Sequence, residues 1–408
     1  MPKTELSRVA VLGAGPIGLE AALYARSLQL PVTIYERGRV GEYLRHWGHV
    51  RLFSPFGMNT TPLGRATIRA QRPGQDFPAD NACIIGREHL TVYLEPLAQT
   101  PPLKDCLRTQ AEVLHVGRKG LLKEDEPGDA RRGRQPFRLL IREENKRERV
   151  DEADVVLDCT GTYGQHRWAG EGGIPALGER AAEPHIAYGL EDVLGERRQA
   201  YAGKSVLVVG GGYSAATTVC NLAALADSQA DTWAVWLARC TSTQPMPRIT
   251  NDPLRERDRL AVRANTLATR GDGNVEFHNQ TVVEAIECAG PDRGFKVTAR
   301  CGGKPRTWEV ERLIANVGYS PNSSLYRELQ VAECYATLRP SSQPAADGLN
   351  ATSPGGSFLR TPEPSFFVLG AKSYGRNSSF LLRAGFEQVR EVFALITGNP
   401  DLDLYKKR

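Results

Sequence analysis

One short stretch near the amino end constrains this chain more than any other. Val9-Ala10-Val11-Leu12 is apolar and runs into Gly13-Ala14-Gly15-Pro16-Ile17-Gly18, after which Leu19, Ala22, Leu23 and Leu28 mark a helix. A second apolar run, Val32-Thr33-Ile34-Tyr35, follows and ends in Glu36. A strand, a G-x-G-x-x-G turn, a helix and a strand ending in an acid form a dinucleotide-binding unit. Gly13 makes the tight turn, Gly15 lets backbone approach a pyrophosphate, and Gly18 lets the helix pack close to the strand. The helix N-terminus faces the phosphates, and Glu36 accepts from ribose hydroxyls. Arg37, the next residue, is a further candidate contact, as are Pro16 and Ile17 within the turn.

The pattern recurs. Ser205-Val206-Leu207-Val208-Val209 leads into Gly210-Gly211-Gly212-Tyr213-Ser214-Ala215, the G-x-G-x-x-A variant, with a helix expected from about Ser214 through Ala226. The next strand, Trp233–Ala238, ends in Arg239 rather than in a carboxylate. An acid there would repel a 2′-phosphate, whereas an arginine pairs with one, so this unit reads as a site for NADP(H) rather than NAD(H). Candidate contacts are Gly210, Gly212, Tyr213, Ser214, Ala215 and Arg239. Thr241 and Ser242 stand close enough in sequence to add hydroxyl donors.

Each unit is followed by the same kind of segment. After the first come a strand-like Glu112–Val116, a hairpin-like Phe137–Ile141 and the buried run Asp154–Thr162, which contains Cys159-Thr160-Gly161. After the second come Thr281–Ile286, Phe295–Ala299 and Arg312–Tyr319. Lys123–Gln135, charged and carrying Pro127 and Gly128, reads as an exposed insertion in the first hairpin. The expectation is an α/β protein of two Rossmann-like, three-layer ββα dinucleotide-binding domains, the second inserted in the first. Residues 1–165 and 321–408 would form one and 166–320 the other.

Composition narrows the function. A formal charge of +5 spread over 408 residues is too small and too dispersed for nucleic-acid binding. No run approaches a membrane span, which makes the cytoplasm the expected location. Eight cysteines lie far apart without any C-x-x-C, so neither a redox dithiol nor a zinc ribbon is signalled. The sequence leaves a homodimer open. It points to a small-molecule substrate, and no residue declares itself catalytic.

Cys159-Thr160-Gly161 resembles the Ala-Thr-Gly strand end of the two-dinucleotide-binding-domain flavoproteins, a group spanning thioredoxin-reductase-like enzymes and flavin-containing monooxygenases. Gly318-Tyr319-Ser320-Pro321-Asn322 resembles the second such strand end, and the likeness covers nearly the whole chain. It implies FAD in the first unit, with Thr160 and Gly161 in contact, and NADPH in the second. Pro364–Ala371 resembles the strand that holds the ribityl phosphate, ending at Gly370. The helical pattern from Phe380 to Ile396 resembles the helix whose N-terminus faces the flavin pyrimidine, with Ser378, Ser379 and Phe380 nearby. Where the family carries Gly-Asp, this chain has Gly370-Ala371-Lys372.

Val40–Pro55 resembles the segment that passes beside the flavin ring in monooxygenase-like members, which would make Trp47 a wall of the site and bring His46 near the reactive edge. His166 and His185 fall in the inter-domain region; Gly178, His185 and Tyr188 only echo the monooxygenase motif there. Phe53-Ser54 and Cys159-Thr160-Gly161 also resemble a bacillithiol-type disulfide reductase group, whose members carry a cysteine in the first glycine turn, where this chain has Ile17. The resemblance implies an NADPH-reduced, FAD-dependent oxidoreductase, monooxygenase-like, working through a flavin peroxide. The alternatives are a single-cysteine or cysteine-independent disulfide reductase and a non-catalytic flavoprotein redox sensor.

Overall fold

The computed structural model describes residues 7–270, 273–290, 293–341 and 359–406. The chain divides into two compact units. Unit 1 comprises Met1–Arg45, Ser54–Gln165 and Ser320–Arg408, and unit 2 comprises His46–Phe53 and His166–Tyr319.

In unit 1 the chain forms β1 (Val9–Leu12), the helix Pro16–Ser27, β2 (Val32–Tyr35), β3 (Leu107–Arg108), β4 (Ala111–Arg118), β5 (Phe137–Glu143), β6 (Glu148–Ala153) and β7 (Val155–Asp158). The strand Phe366–Val368 returns late in the chain beside β7, giving a five-stranded sheet in the order Phe366–Val368, β7, β1, β2, β3. All its pairings are parallel, and Leu12 lies between Tyr35 and Asp158, which brings the three carboxyl ends level. A separate antiparallel sheet, β4-β5-β6, packs on one face. Ala10, Leu12, Val156, Phe366 and Val368 meet Val116, Phe137, Leu139 and Ile141 there in one buried cluster. The helix Pro16–Ser27 packs with the helix Leu382–Thr397, where Tyr24 stacks on Phe393 at 5.2 Å.

Unit 2 repeats the plan with β8 (Ser205–Val209), the helix Tyr213–Ala226, β9 (Trp233–Leu237), the helix Arg255–Thr269, β10 (Val275–His278), β11 (Thr281–Cys288), β12 (Phe295–Cys301), β13 (Lys304–Val310) and β14 (Arg312–Ala315). The parallel sheet runs β10-β9-β8-β14, and β11-β12-β13 form the antiparallel one. Alternate residues of β8 serve opposite faces, as the two-residue period of a strand requires. Leu207 and Val209 pack toward Val283, Val297 and Trp308 of the second sheet, and Val206 and Val208 pack toward Ala216, Val219 and Ala264 of the helices.

Each unit is thus the expected three-layer ββα arrangement, and the duplication extends to detail. The first strand of both antiparallel sheets carries a register shift, between Val113 and His115 in one and between Val283 and Ala285 in the other. The third strands, β6 and β13, are missing from the sequence reading. Most of their residues are polar and lie outside the core, and apolar alternation is confined to Trp308 and Val310 of β13, too short a stretch to mark a half-buried strand. The segment His46–Phe53 groups with unit 2 rather than with the first domain, Phe53 meeting Tyr213 edge-on at 5.5 Å.

The insertion Lys123–Gln135 is not simply exposed. Its Arg132 is fully buried and donates to Leu122 O, Asp125 O and the Glu363 carboxylate at 3.0, 2.6 and 3.1 Å. Arg118 of β4 donates to the other oxygen of Glu363 at 2.7 Å. One buried carboxylate therefore ties the insertion, the antiparallel sheet and the approach to the returning strand together, and its removal would leave two buried guanidiniums uncompensated.

Behind the helix Pro16–Ser27 lies a second buried polar cluster. Glu20 accepts from Thr61 Oγ1 at 3.0 Å, and Thr61 N donates to Tyr93 Oη at 3.2 Å. Burial pushes the Glu20 carboxyl up to about 7 from 4.5, outweighing those hydrogen bonds. His89, whose ring Nε2 bonds Asn59 O at 2.8 Å, is pushed by burial down to about 4 from 6.5. The two act oppositely on stability. Glu20 holds a proton that the unfolded chain releases above pH 4.5, so its penalty grows as pH rises toward 7. His89 refuses a proton that the unfolded chain binds below pH 6.5, so its penalty grows as pH falls toward 4. Glu20→Gln is expected to raise the unfolding free energy at pH 8 by about 3 kcal/mol and to leave it nearly unchanged at pH 4.5, as read by urea titration at the two pH values.

Candidate functional site

The carboxyl edge of the unit 1 sheet is built around the first glycine turn. Gly13 has φ +98°, and a Cβ there would come within 2.9 Å of Cys159 O. A Cβ on Gly18 would come within 1.9 Å of Gly13 O, so helix and turn are in backbone contact. Gly15 differs from both: a Cβ there would meet nothing within 4 Å. It precedes the helix, which opens with Pro16 and no side-chain cap, so first-turn N–H groups face the open side.

Glu36, at the end of β2, is buried, and its two oxygens accept from Ala14 N at 2.7 Å and Gly38 N at 2.8 Å. One carboxylate thus draws the glycine turn and the loop after β2 together. Arg37 is exposed, donates to Tyr43 Oη and lies over the Tyr43 ring at 5.2 Å.

The ends of β7 and the returning strand complete this edge. Thr160 is exposed as a residue, but its hydroxyl turns inward and donates to Asp158 Oδ1 at 2.6 Å. Gly161 has φ +71°. Two residues past Gly370, Lys372 is buried and donates to Asp158 Oδ2 at 2.6 Å. Sequence reasoning missed this pair; its signals were an acid closing the apolar run Val155-Val156-Leu157 and a lysine closely following the apolar run Phe366-Phe367-Val368-Leu369. Gly370 N donates to Gln388 Oε1 at 2.8 Å, which joins this turn to the helix Leu382–Thr397. That helix begins after Phe380 rather than at it: Ser379 N bonds Asn377 Oδ1 at 2.9 Å in a turn, and Ser378 and Ser379 are exposed. Ile17 packs against two glycines here. Its side chain would lie 3.3 Å from a Cβ on Gly370 and 2.4 Å from one on Gly385, and Phe380 would lie 2.9 Å from the latter.

Unit 2 carries the second turn. Gly210 has φ +147°, and a Cβ there would come within 2.4 Å of Asn316 O. Gly212 is open, with nothing within 4 Å of a Cβ position. Trp236 Nε1 donates to Gly210 O at 2.7 Å, and the Asn316 side chain accepts from Thr218 Oγ1 at 2.7 Å while donating to Gly189 O at 2.8 Å. Tyr213, Ser214 and Ala215 open the following helix. Arg239 is exposed just past β9 and has no hydrogen-bond or ion-pair partner among the described residues. The loop beyond it is tied down by Gln280 N to Cys240 O at 2.8 Å and Asn279 Nδ2 to Thr241 O at 2.7 Å. The arginines further on pair locally, Arg248 with Asp258, Arg257 with Asp252 and Arg259 with Glu256.

The remaining candidates are placed differently. Trp47 falls in unit 2, not in the unit that carries the first glycine turn. His166 stacks on Tyr188 at 3.6 Å and bonds Glu183 at 3.0 Å, a structural setting, and His185 is exposed. All eight cysteines are free thiols. Burial pushes the thiols of Cys106, Cys159, Cys220 and Cys240 up, and at Cys159 the neighbouring Asp158 adds to the effect.

Two parallel sheets, each with a glycine turn at its carboxyl edge and an antiparallel sheet on one face, make a duplicated Rossmann-like fold of two dinucleotide-binding-type domains. No family model matches the chain, and no curated protein does. Solved structures with this fold do. A bacillithiol disulfide reductase from Bacillus cereus superposes with a TM-score of 0.68 at 17% identity, over 96% of this chain and 99% of that one. An ornithine N-hydroxylase from Kutzneria, solved with reduced FAD, NADP+ and L-ornithine, superposes with a TM-score of 0.62 at 15% identity, over 97% and 100%. A thioredoxin reductase from Lactococcus lactis gives 0.59 at 14%, over 96% and 99%. At these identities the likeness is one of fold. No helix among the described residues is long and apolar enough to cross a membrane.

The glycines separate structural from ligand constraint. Gly18→Ala forces a methyl into Gly13 O and is expected to destabilise the protein by about 2 kcal/mol or more, whereas Gly15→Ala is expected to stay within about 0.5 kcal/mol of wild type. Thermal unfolding of the two variants side by side checks this.

Proposed function

We propose that this chain is an FAD-dependent oxidoreductase reduced by NADPH that oxidises a small molecule in the manner of a monooxygenase, without a protein thiol in the reaction. The observation that carries the reading is Ile17. At the turn position where the resembling disulfide reductases carry a cysteine, this chain has a hydrocarbon side chain packed onto Gly370 and Gly385. Disulfide reduction needs a thiolate, and Cys159, the cysteine at this sheet edge, is held in its thiol form by burial and by Asp158.

The residues present fit the two cofactors. In unit 1, the open face of Gly15 admits the FAD pyrophosphate, which the helix Pro16–Ser27 meets with its unpaired N–H groups. Glu36 keeps lone pairs after binding Ala14 and Gly38, and these accept from the adenosine ribose. Arg37 and Tyr43 flank that end, and the backbone at Gly161 and Gly370 serves the ribityl side. In unit 2, Gly212 admits the NADPH pyrophosphate and Arg239 binds the 2′-phosphate. Bound FAD would supply the redox chemistry, a hydride equivalent from NADPH reducing dioxygen so that one oxygen atom enters a sulfur, nitrogen or carbonyl compound and the other leaves as water. The Kutzneria hydroxylase, with its FAD, NADP+ and ornithine, supports this chemistry on the same fold.

The purified protein is expected to be yellow, to bleach with NADPH under nitrogen, and to lose its flavin in the Gly15→Ala variant. Arg239→Glu is expected to weaken NADPH relative to NADH by roughly tenfold or more in kcat/KM; an unchanged preference contradicts the assignment of the 2′-phosphate to Arg239. Cys159→Ser is expected to keep full NADPH-coupled oxygen uptake with thiol and amine substrates. Loss of turnover in that variant, with disulfides as the active substrates, would establish the reductase reading instead.

A further inference from the structure

Asp158 and Lys372 form an ion pair at the carboxyl edge of the unit 1 sheet, with side chains 0% and 1% exposed. Their atoms are committed on every side. Asp158 Oδ1 accepts from Thr160 N at 3.0 Å and Thr160 Oγ1 at 2.6 Å, and Oδ2 accepts from Lys372 Nζ at 2.6 Å. Lys372 Nζ also donates to Thr160 Oγ1 at 3.1 Å and lies 4.9 Å from the centre of the Tyr326 ring. The backbone is knit in the same place, Leu369 N donating to Asp158 O at 2.9 Å and Cys159 N to Leu12 O at 2.9 Å.

Stability alone does not call for such a pair. Leu157, Val368 and Leu369 around it are fully buried or nearly so, and a buried ion pair is on average no more stabilising than well-packed hydrocarbon. What the pair does provide is a single arrangement, because every bond must form together. It determines where the Cys159–Thr160 peptide lies, and that peptide lies against Gly13 of the dinucleotide turn. It also places the turn at Gly370–Ser373, which Gln388 holds from the other side through Gly370 N and Ser373 Oγ, each at 2.8 Å. The Thr160 hydroxyl hydrogen is spent on Asp158, so Thr160 meets a ligand only with a lone pair or with backbone.

We propose that Asp158 and Lys372 are positioning residues for the flavin. They lock the Cys159–Gly161 strand end to the Gly370–Ser373 turn, and by neutralising each other they keep an unpaired charge away from the cofactor. The proposal rests on the FAD reading of unit 1. It departs from any purely structural role in one respect. Removing the lysine leaves a negative charge that opposes electron uptake by the flavin, and removing the aspartate leaves a positive charge that favours it.

The test uses the full-length protein loaded with FAD, reading the flavin midpoint potential at pH 8, the FAD Kd by fluorescence, and the melting temperature of the apoprotein. Lys372→Met is expected to lower the potential and Asp158→Asn to raise it, each weakening FAD by about tenfold. Lys372→Arg is expected to restore most of both properties. The double variant, Asp158→Asn with Lys372→Met, is expected to return the potential toward wild type while FAD stays weakened. Potentials that move the same way in both single variants, or not at all, overturn the proposal, as does a double variant with wild-type Kd. If a single variant does not fold, the double variant decides alone: a weakened Kd at an unchanged apoprotein melting temperature supports the proposal, and a wild-type Kd overturns it. Wild-type protein that takes up no FAD overturns the FAD reading together with this proposal, whereas normal uptake with unaffected variants overturns this proposal only.

Discussion

In both units one backbone contact decides the rest: the first glycine of the turn pressed against a carbonyl at the end of a neighbouring strand. Gly13 meets Cys159 O, and Gly210 meets Asn316 O. A side chain at either position would have to push a sheet strand aside. The contact forces a positive φ, turns the chain sharply off the sheet and launches the helix with its N–H groups facing the carboxyl edge. The contacts proposed for the dinucleotides, the open faces at Gly15 and Gly212 and the carboxylate of Glu36, lie around that turn.

The two turns are braced by different chemistry. In unit 1 the brace is ionic, Glu36 bonding the turn itself and Asp158 with Lys372 bonding the adjoining strand ends. In unit 2 it is neutral, with Trp236 on Gly210 O and the Asn316 amide between Thr218 and Gly189. Two copies of one plan have thus been specialised on the same frame. The proposed pairing of FAD with the first unit and NADPH with the second rests on the contrast between Glu36 and Arg239 at matching strand ends: a carboxylate suits ribose hydroxyls, and a guanidinium suits an added phosphate.

The proposal of a reaction without a protein thiol rests on cysteine placement. The bacillithiol disulfide reductase and the ornithine N-hydroxylase superpose comparably well, so the fold does not choose between them. The monooxygenase reading proposed above rests instead on local chemistry. Ile17 fills the space between the first turn and the helix Leu382–Thr397, with glycines opposite it at Gly370 and Gly385, and a flavin carries its own reactivity without a protein nucleophile.

The fold was legible because its signals are local. A strand, three glycines and a helix lie within about one and a half dozen residues, Gly13 and Gly18 each answering to a backbone contact that excludes a side chain and Gly15 leaving an open face. The charge at each following strand end could be read for the same reason, as could the repeat. The mostly polar strands β6 and β13 escaped because an edge strand with few apolar residues has too short an apolar period to detect.

What only the tertiary structure decided are pairings between residues hundreds of positions apart. Lys372 meets Asp158 because parallel strands bring distant segments side by side, and Glu363 meets Arg118 and Arg132 where the antiparallel sheet packs on the parallel one. In sequence each of these is a charged residue like any solvated one. Only burial, which removes water as the alternative partner, makes them obligatory to one another.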